Sequence, residues 1–404
     1  MSTVSIEAVN GLSGVDRKAW DDLANPGWTL GDNGALSGHG PNAFNPFVTH
    51  DFLLALETAG CVGERTGWYP RHVLVRDEEE RLLAAAPAYL KTHSKGEYVF
   101  DYGWADAFER AGGRYYPKLQ VSVPFTPAPG PRLLVGSEDP TGRRDILTKA
   151  LVAVADKLDA SSVHVTFALE DDFAALTDFG YLARLDTQFH WTSRGYATPE
   201  DFLAALASRK RKQIKRERRE ALSNGITISW YTGREITEAH WDAFYGFYMD
   251  TGARKWGRPY LNRRFFSLLG DTMGERVALI MAERDGRFIA GALNLIGSQT
   301  LYGRYWGCVE DHPFLHFEVC YYQAIDYAIV NGLTRVEAGA QGEHKLARGY
   351  EACETRSAHF VRHPGLRDAV EDYLRSERRA VAHQNSVLNT YTPFRKADGQ
   401  DRDE

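Results

Sequence analysis

The chain of 404 residues is 43% hydrophobic, 12% aromatic and 25% charged, with a formal net charge of −6, a balance that makes no global demand for a nucleic-acid or anionic-membrane partner. Its length predicts two compact units rather than one. Cys61, Cys308, Cys320 and Cys353 form no C-x-x-C pair, which argues against a disulfide scaffold and a cysteine zinc site. No apolar run approaches the roughly 18 residues of a membrane span. Glu7, Asp16, Arg17 and Lys18 stand where a secretory signal needs an unbroken apolar run, so the expected location is a reducing cytoplasm.

In chain order, Val4 to Val9 reads as a strand and the residues from Asp16 as a short helix. Residues 24–45, rich in Gly, Asn and Pro, are expected as a long loop. Thr49 or His50 then caps a helix with Phe52, Leu53 and Leu56 at helical spacing. From Arg71 to Leu90 two apolar runs flank a charged turn, the pattern of a β-hairpin. Residues 91–142 are dense in Tyr, Trp, Phe and Pro. Aromatic walls with a few polar groups make small-molecule pockets, so Asp101, Tyr102, Trp104, Tyr116 and Lys118 are candidate substrate-binding residues. A rigid Pro-rich connection is the competing reading. A helix before Ser161, a strand to Leu169 on which His164 reads as filler, a further helix and a strand from Tyr181 close this half.

Thr198-Pro199-Glu200-Asp201 supplies an N-cap, a Pro at the first helical position and an acidic first turn, and Asn224-Gly225 stops the expected helix. Its middle holds eight Lys or Arg in the eleven residues from Arg209 to Arg219. One reading is a solvated face with Glu217 and Glu220 as local partners. The other is a polyanion contact through Arg209, Lys210, Arg211, Lys212, Lys215 and Arg216, to RNA, a phosphorylated donor or a lipid head group.

The second half repeats the first. After a strand from Ile226 and a helix from Glu238, VALIMAERDGRFIAGALNLIG is again a hairpin around a charged turn, followed by a strand with Tyr302, Arg304 and Trp306 on one face and Gly303, Tyr305 and Gly307 on the other. A helix over 316–331, a short strand, a strand from Thr355 and a charged helix from Leu366 to Arg379 follow. Hairpin, helix and strand in matched order indicate a tandem repeat. The expected organisation is an α/β unit over 1–197, a basic helical arm over 198–224, a second α/β unit over 225–384 and a polar, frayed tail over 385–404.

From His312 to Tyr350 the chain packs two histidines, a helix and a Gly-rich turn holding Gln341, Glu343, His344, Lys345 and Arg348. So many ionisable groups beside a strand end cost free energy unless they are paired, which marks a candidate reaction centre. Gly339, Gly342 and Gly349 are expected to let backbone approach a ligand closely.

NPFVTHDFLLALE, GEYVFDYGWADAF, YYPKLQVSVPFTPAPGPRLLV, QFHW, LASRKRKQIKRERR and GAQGEHKLARGY resemble the FemAB-like branch of predicted N-acyltransferases, relatives of the Fem family with tandem acetyltransferase-like (GNAT-like) domains. The resemblance, from about Phe44 to Arg379, implies an α/β fold of two such domains with mixed sheets and an N-acyltransferase acting on an amine acceptor. It implies no tightly bound cofactor, with acyl-CoA or aminoacyl-tRNA as co-substrate. Single-domain acetyltransferases hold the coenzyme A pyrophosphate on a Q/R-x-x-G-x-G/A loop that leads into a helix. That loop is missing here, because the approach to the 316–331 helix reads Asp311-His312-Pro313-Phe314-Leu315.

Transfer to an amine needs a base, an acid and oxyanion donors. Glu343 and His344 are the first candidates for base and relay, then Glu318; His316 is a candidate acid. Lys345 and Arg348 are candidates to hold the donor, with Gln341 and Tyr305 at the substrate. Zinc on His312, His316 and His344 fits no standard ligand spacing. Two further readings are an aminoacyl-tRNA-dependent ligase of peptidoglycan precursors or peptides, and a binder of RNA or cell-wall precursor without catalysis. A peripheral membrane contact through the basic helix stays compatible with both.

Overall fold

A computed structural model describes residues 4–255, 259–339 and 342–395, without the side chains of 253–255 and 343. The chain forms two compact units. The first comprises the chain up to Asp186 with Tyr260–Met273 and Glu354–Ala382; the second comprises Thr187–Pro259, Gly274–Cys353 and the chain from His383. The units therefore cross the boundary expected at residue 197.

In the first unit, Ser5–Val9, His72–Arg76 and Leu82–Ala86 form a three-stranded antiparallel sheet that includes the expected hairpin. Pro87 has no backbone donor and divides this hairpin from Ala88–Lys91, which pairs antiparallel with Trp68–Pro70 and with Lys118–Val121. The helix Pro140–Lys157 then crosses over to Ser162–Ala168, which lies parallel to Lys118–Val121. Leu147, Leu151 and Val154 of that helix meet Val163, Val165 and Leu119 in one apolar core. Residues 91–142 thus carry the strand that the crossover needs.

The second unit repeats the plan. Thr227–Tyr231, Val277–Arg284, Arg287–Ile296 and Thr300–Cys308 run antiparallel in that order, and Arg335–Glu337 returns parallel to Thr300–Cys308 after a helical crossover. His190–Thr192 pairs antiparallel with the far side of Arg335–Glu337. Gly307 is needed for close approach, since a Cβ there would lie 2.2 Å from the carbonyl oxygen of Phe247.

Several local expectations change. Residues 24–45 hold a small hairpin of Trp28–Leu30 and Leu36–Gly38 rather than a plain loop. The basic helix is two helices, Pro199–Ala205 and Ser208–Ala221. The break follows from the tail: Ala207 N–H donates to Pro393 O at 2.9 Å, Arg395 N–H to Ala205 O at 3.1 Å, and Leu206 bridges Phe394. The last helix extends over Pro364–Leu388, past the point where the tail is expected to begin. Arg263–Met273 is a helix of the first unit whose Phe265 ring packs 5.8 Å from Phe52. The helix expected over 316–331 contains a π-turn, Glu318–Tyr322, between Leu315–Phe317 and Gln323–Val330.

A bulge in Thr300–Cys308 also alters its faces. Gly303 opposes Asn294 and Tyr305 opposes Leu293, leaving Arg304 without an opposite. Tyr302 and Tyr305 consequently share one face, and Gly303, Trp306 and Cys308 the other. Strict alternation would separate Tyr302 from Tyr305.

Candidate functional site

In the second unit the parallel pairing of Thr300–Cys308 with Arg335–Glu337 stops at Tyr302 and Glu337, while the first strand runs on to Cys308. Glu337 sits where the strands part. Its register partner His190 shares its face, with Nε2 3.9 Å from Glu337 Oε2, and that oxygen has no hydrogen-bond partner among the described residues. Burial, against the pull of Arg335 and Arg304, pushes the Glu337 carboxyl up to about 8. Burial beside Arg335 and Lys345 keeps His190 neutral, lowering it to about 3, and its Nε2 meets Gln188 Oε1 at 3.1 Å. Neither Glu337 nor His190 emerges from the sequence as a functional candidate. The strand Arg335–Glu337 carries no sequence signal that singles out Glu337; its burial and its register opposite His190 do.

The Gly-rich turn is built differently from the expectation. Gln341 and the side chain of Glu343 lie outside the described residues. Lys345 is buried and caps a broken strand end, with Nζ donating to Ala338 O at 2.7 Å and Gly339 O at 3.1 Å; burial lowers its ammonium to about 8. Arg348 donates to His344 O at 2.7 Å and to Glu217 Oε2 at 2.9 Å. Both cations are thus committed within the protein and do not offer a donor phosphate a free charge. His344 is exposed, and its Nε2 lies 3.2 Å from Tyr321 Oη. Gly339 is required by its φ of 76° and not by close approach, since a Cβ there would meet nothing within 4 Å.

Glu318 is also committed. It is wholly buried in the π-turn, where Arg218 Nη2 lies 2.9 Å from its Oε1 and Gln323 donates to the same oxygen at 2.8 Å. A base needs an acceptor free for the substrate proton, so the geometry gives Glu318 a structural part. Arg218 bridges on to Asp326 at 2.6 Å. Arg218→Ala leaves two buried carboxylates uncompensated, and chemical denaturation is expected to show a loss of about 3–5 kcal/mol. Glu217 likewise turns inward, accepting from Tyr322 Oη at 2.6 Å, and does not serve as a surface partner for the basic run.

On Ser208–Ala221, Ile214, Glu217 and Ala221 are the buried positions. Arg209, Lys212, Lys215, Arg216 and Arg219 are exposed, Lys210 and Arg211 half-buried, and none of them is ion-paired with another described residue. The helix is therefore amphipathic by charge pairing: Arg218 is neutralised inside, and the remaining cations face solvent.

His316 packs its ring 5.2 Å from Trp306 in a cleft of about 310 Å³ that Thr251, Glu310, Asp311 and His312 also line. Among the described residues no group of His, Cys, Asp and Glu is arranged to hold a metal ion, and the four cysteines form no disulfide.

In the first unit the aromatic segment closes over a buried charge cluster. Lys118, fully buried, donates to Ser94 Oγ and Glu97 Oε2 at 2.7 Å each and also to Asp101, which accepts from Tyr115 Oη at 2.7 Å. Burial pushes the Asp101 carboxyl up, but Lys118 and His164 outweigh it and hold the group well below the carboxylate range. Asp101 Oδ1 and Glu97 Oε1 have no hydrogen-bond partner among the described residues. Lys118 is consumed internally, and Trp104 is buried against His164 and His359, so neither presents itself to a ligand. Tyr116 bonds Ser94 at 2.9 Å. Tyr102 is 45% exposed and stacks on Phe100, which leaves it open to a ligand. His164 is more than filler: Ser162 Oγ lies 2.7 Å from its Nε2 and His359 Nδ1 2.7 Å from its Nδ1.

Two units, each with an antiparallel hairpin and a helical crossover joining parallel strands, define a tandem GNAT-like α/β protein. The profile of the FemAB-like family, described as peptidoglycan biosynthesis/recognition, matches residues 11–396, and the chain belongs to that family. The crystal structure of FemX is 13% identical, covers 88% of this chain and 98% of its own, and superposes with a TM-score of 0.50, which supports the fold. L-PGS from Bacillus licheniformis is 11% identical over 84% of this chain and 96% of its own, at a TM-score of 0.47. A tandem GNAT protein from the clavulanic acid biosynthesis pathway is 13% identical over 89% and 98%, at 0.44. No curated protein matches the chain, and no helix among the described residues is long and apolar enough to cross a membrane.

Proposed function

We propose that the protein is an N-acyltransferase that moves an acyl or aminoacyl group onto an amine of a peptidoglycan-type precursor, with Glu337 as general base. The observation that carries this reading is the buried Glu337 carboxylate, without a hydrogen-bond partner at Oε2 among the described residues, at the point where two parallel strands separate. An alkyl amine with a pKa near 10 is mostly protonated at neutral pH and must lose a proton to attack a carbonyl. A carboxyl raised to about 8 is a far better acceptor for that proton than an ordinary one. His190, held neutral, flanks the carboxyl on the same face with its Nε2 3.9 Å away.

Aminoacyl-tRNA is the donor that the chain favours over acyl-CoA. The cations of Ser208–Ala221 that pair with no other described residue offer a polyanion a face, and Lys345 and Arg348 are engaged within the protein. Use of charged tRNA agrees with a cytoplasmic setting. Native mass spectrometry with bulk charged tRNA and, separately, an acyl-CoA panel tests the donor assignment: a tRNA complex is expected, whereas a saturable acyl-CoA complex alone would reverse it.

A further inference from the structure

We propose that the cleft beside the end of Thr300–Cys308 is a binding site for a primary ammonium group, distinct from the centre at Glu337. The cleft of about 310 Å³ has the size of a site for one small molecule. Its chemistry selects by charge. Glu310 is fixed by Arg284, which donates at 2.9 and 3.0 Å to its two oxygens, and by His312 Nε2 at 2.8 Å. Arg284 and Glu310 cancel one another, and those bonds hold Glu310 well below the usual carboxylate range, so it stays ionised. Asp311 is exposed on the rim and is not ion-paired with another described residue. Among the described lining residues Asp311 is thus the carboxylate left without a compensating cation. A phosphate would meet the Asp311 carboxylate, whereas an ammonium meets that carboxylate and the indole of Trp306, whose face attracts cations.

The loop is set for this shape at a cost. Phe314 occupies the left-handed region at φ 62°, a strained position for a bulky residue of the kind that gathers at ligand sites. The cleft is also separate from the transfer centre. Trp306 and Cys308 lie on the face of their strand opposite Tyr302, which is paired with Glu337, and four residues of strand between Tyr302 and Trp306 span about 13 Å. One small amine cannot occupy both places, so this site goes beyond the transferase reading and does not depend on it.

Isothermal titration of the full chain with n-butylammonium chloride, sodium phosphate and sodium acetate at matched ionic strength tests the proposal. Saturable one-to-one binding of butylammonium alone is expected, weakened about three- to tenfold by Asp311→Asn and by Trp306→Leu. Asp311 is exposed, so its variant keeps the fold. Absence of butylammonium binding, saturable phosphate binding, or butylammonium binding untouched by both substitutions would overturn the site. Acyl transfer is read separately, by product formation, and its failure leaves this titration unchanged.

Discussion

Glu337→Gln is expected to lower turnover by ~10²–10⁴-fold, the usual contribution of a general base, with little change in fold. In the parent protein, activity should rise with pH toward a plateau governed by a group titrating at about 8, and the residual activity of the variant should lose that dependence. Stability supplies an independent check, and its sign is fixed. The folded carboxyl holds its proton up to about 8, whereas an unfolded one releases it near the ordinary value of 4.5. Between those values the native state binds more protons than the unfolded state, so the contribution of Glu337 is fully present below 4.5 and lost as pH rises through about 8. Glu337→Gln stays neutral, so its Tm should exceed that of the parent by a margin that widens toward pH 8. A Tm difference that shrinks with rising pH would show that the carboxyl is not held protonated.

The second large effect concerns the donor. Reversing Lys212, Lys215 and Arg216 to Glu should abolish measurable tRNA binding at physiological salt while leaving the melting curve close to that of the parent, because these side chains are exposed. Neutralising them to Gln instead should lower the slope of log affinity against log salt by about 2, at roughly 0.7 for each phosphate no longer neutralised. Arg218→Ala provides the contrast: it removes a cation of the same helix but acts on stability, since that guanidinium serves Glu318 and Asp326. An equal drop in affinity from all four positions would mean that the helix repels or attracts RNA only through net charge.

Much of the architecture was legible because it rests on local chemistry. Thr198 and Asp201 form the capping box that their spacing implies, Asp16 and Thr49 cap the helices that follow them, and both hairpins turn on charged loops. What escaped was decided by residues distant in sequence. The π-turn at Glu318 accompanies an ion pair to Arg218, and the helix break at Leu206 is held by tail residues near Phe394; neither partner is visible from the local pattern. The bulge at Arg304 resets the faces of a strand whose alternation looks regular. For the candidate site, charge density pointed to the turn at 341–350, but density does not distinguish a reactive cation from one that ties down backbone, as Lys345 does. Glu337 was hidden for the opposite reason: a single carboxylate in a three-residue strand carries no pattern, and only burial and register reveal it.

The central claim is acyl transfer to an amine with Glu337 as base, and the most direct measurement is the mass of the acceptor. Purified protein is incubated with charged tRNA, or with acyl-CoA, and a panel of amine-bearing peptidoglycan-precursor peptides, and each peptide is weighed before and after. A gain of one aminoacyl residue on an acceptor amine, dependent on charged tRNA and lost with Glu337→Gln, is the predicted result. Peptides that stay at their starting mass with both donor classes, or a gain that Glu337→Gln leaves at the parent rate, would contradict it.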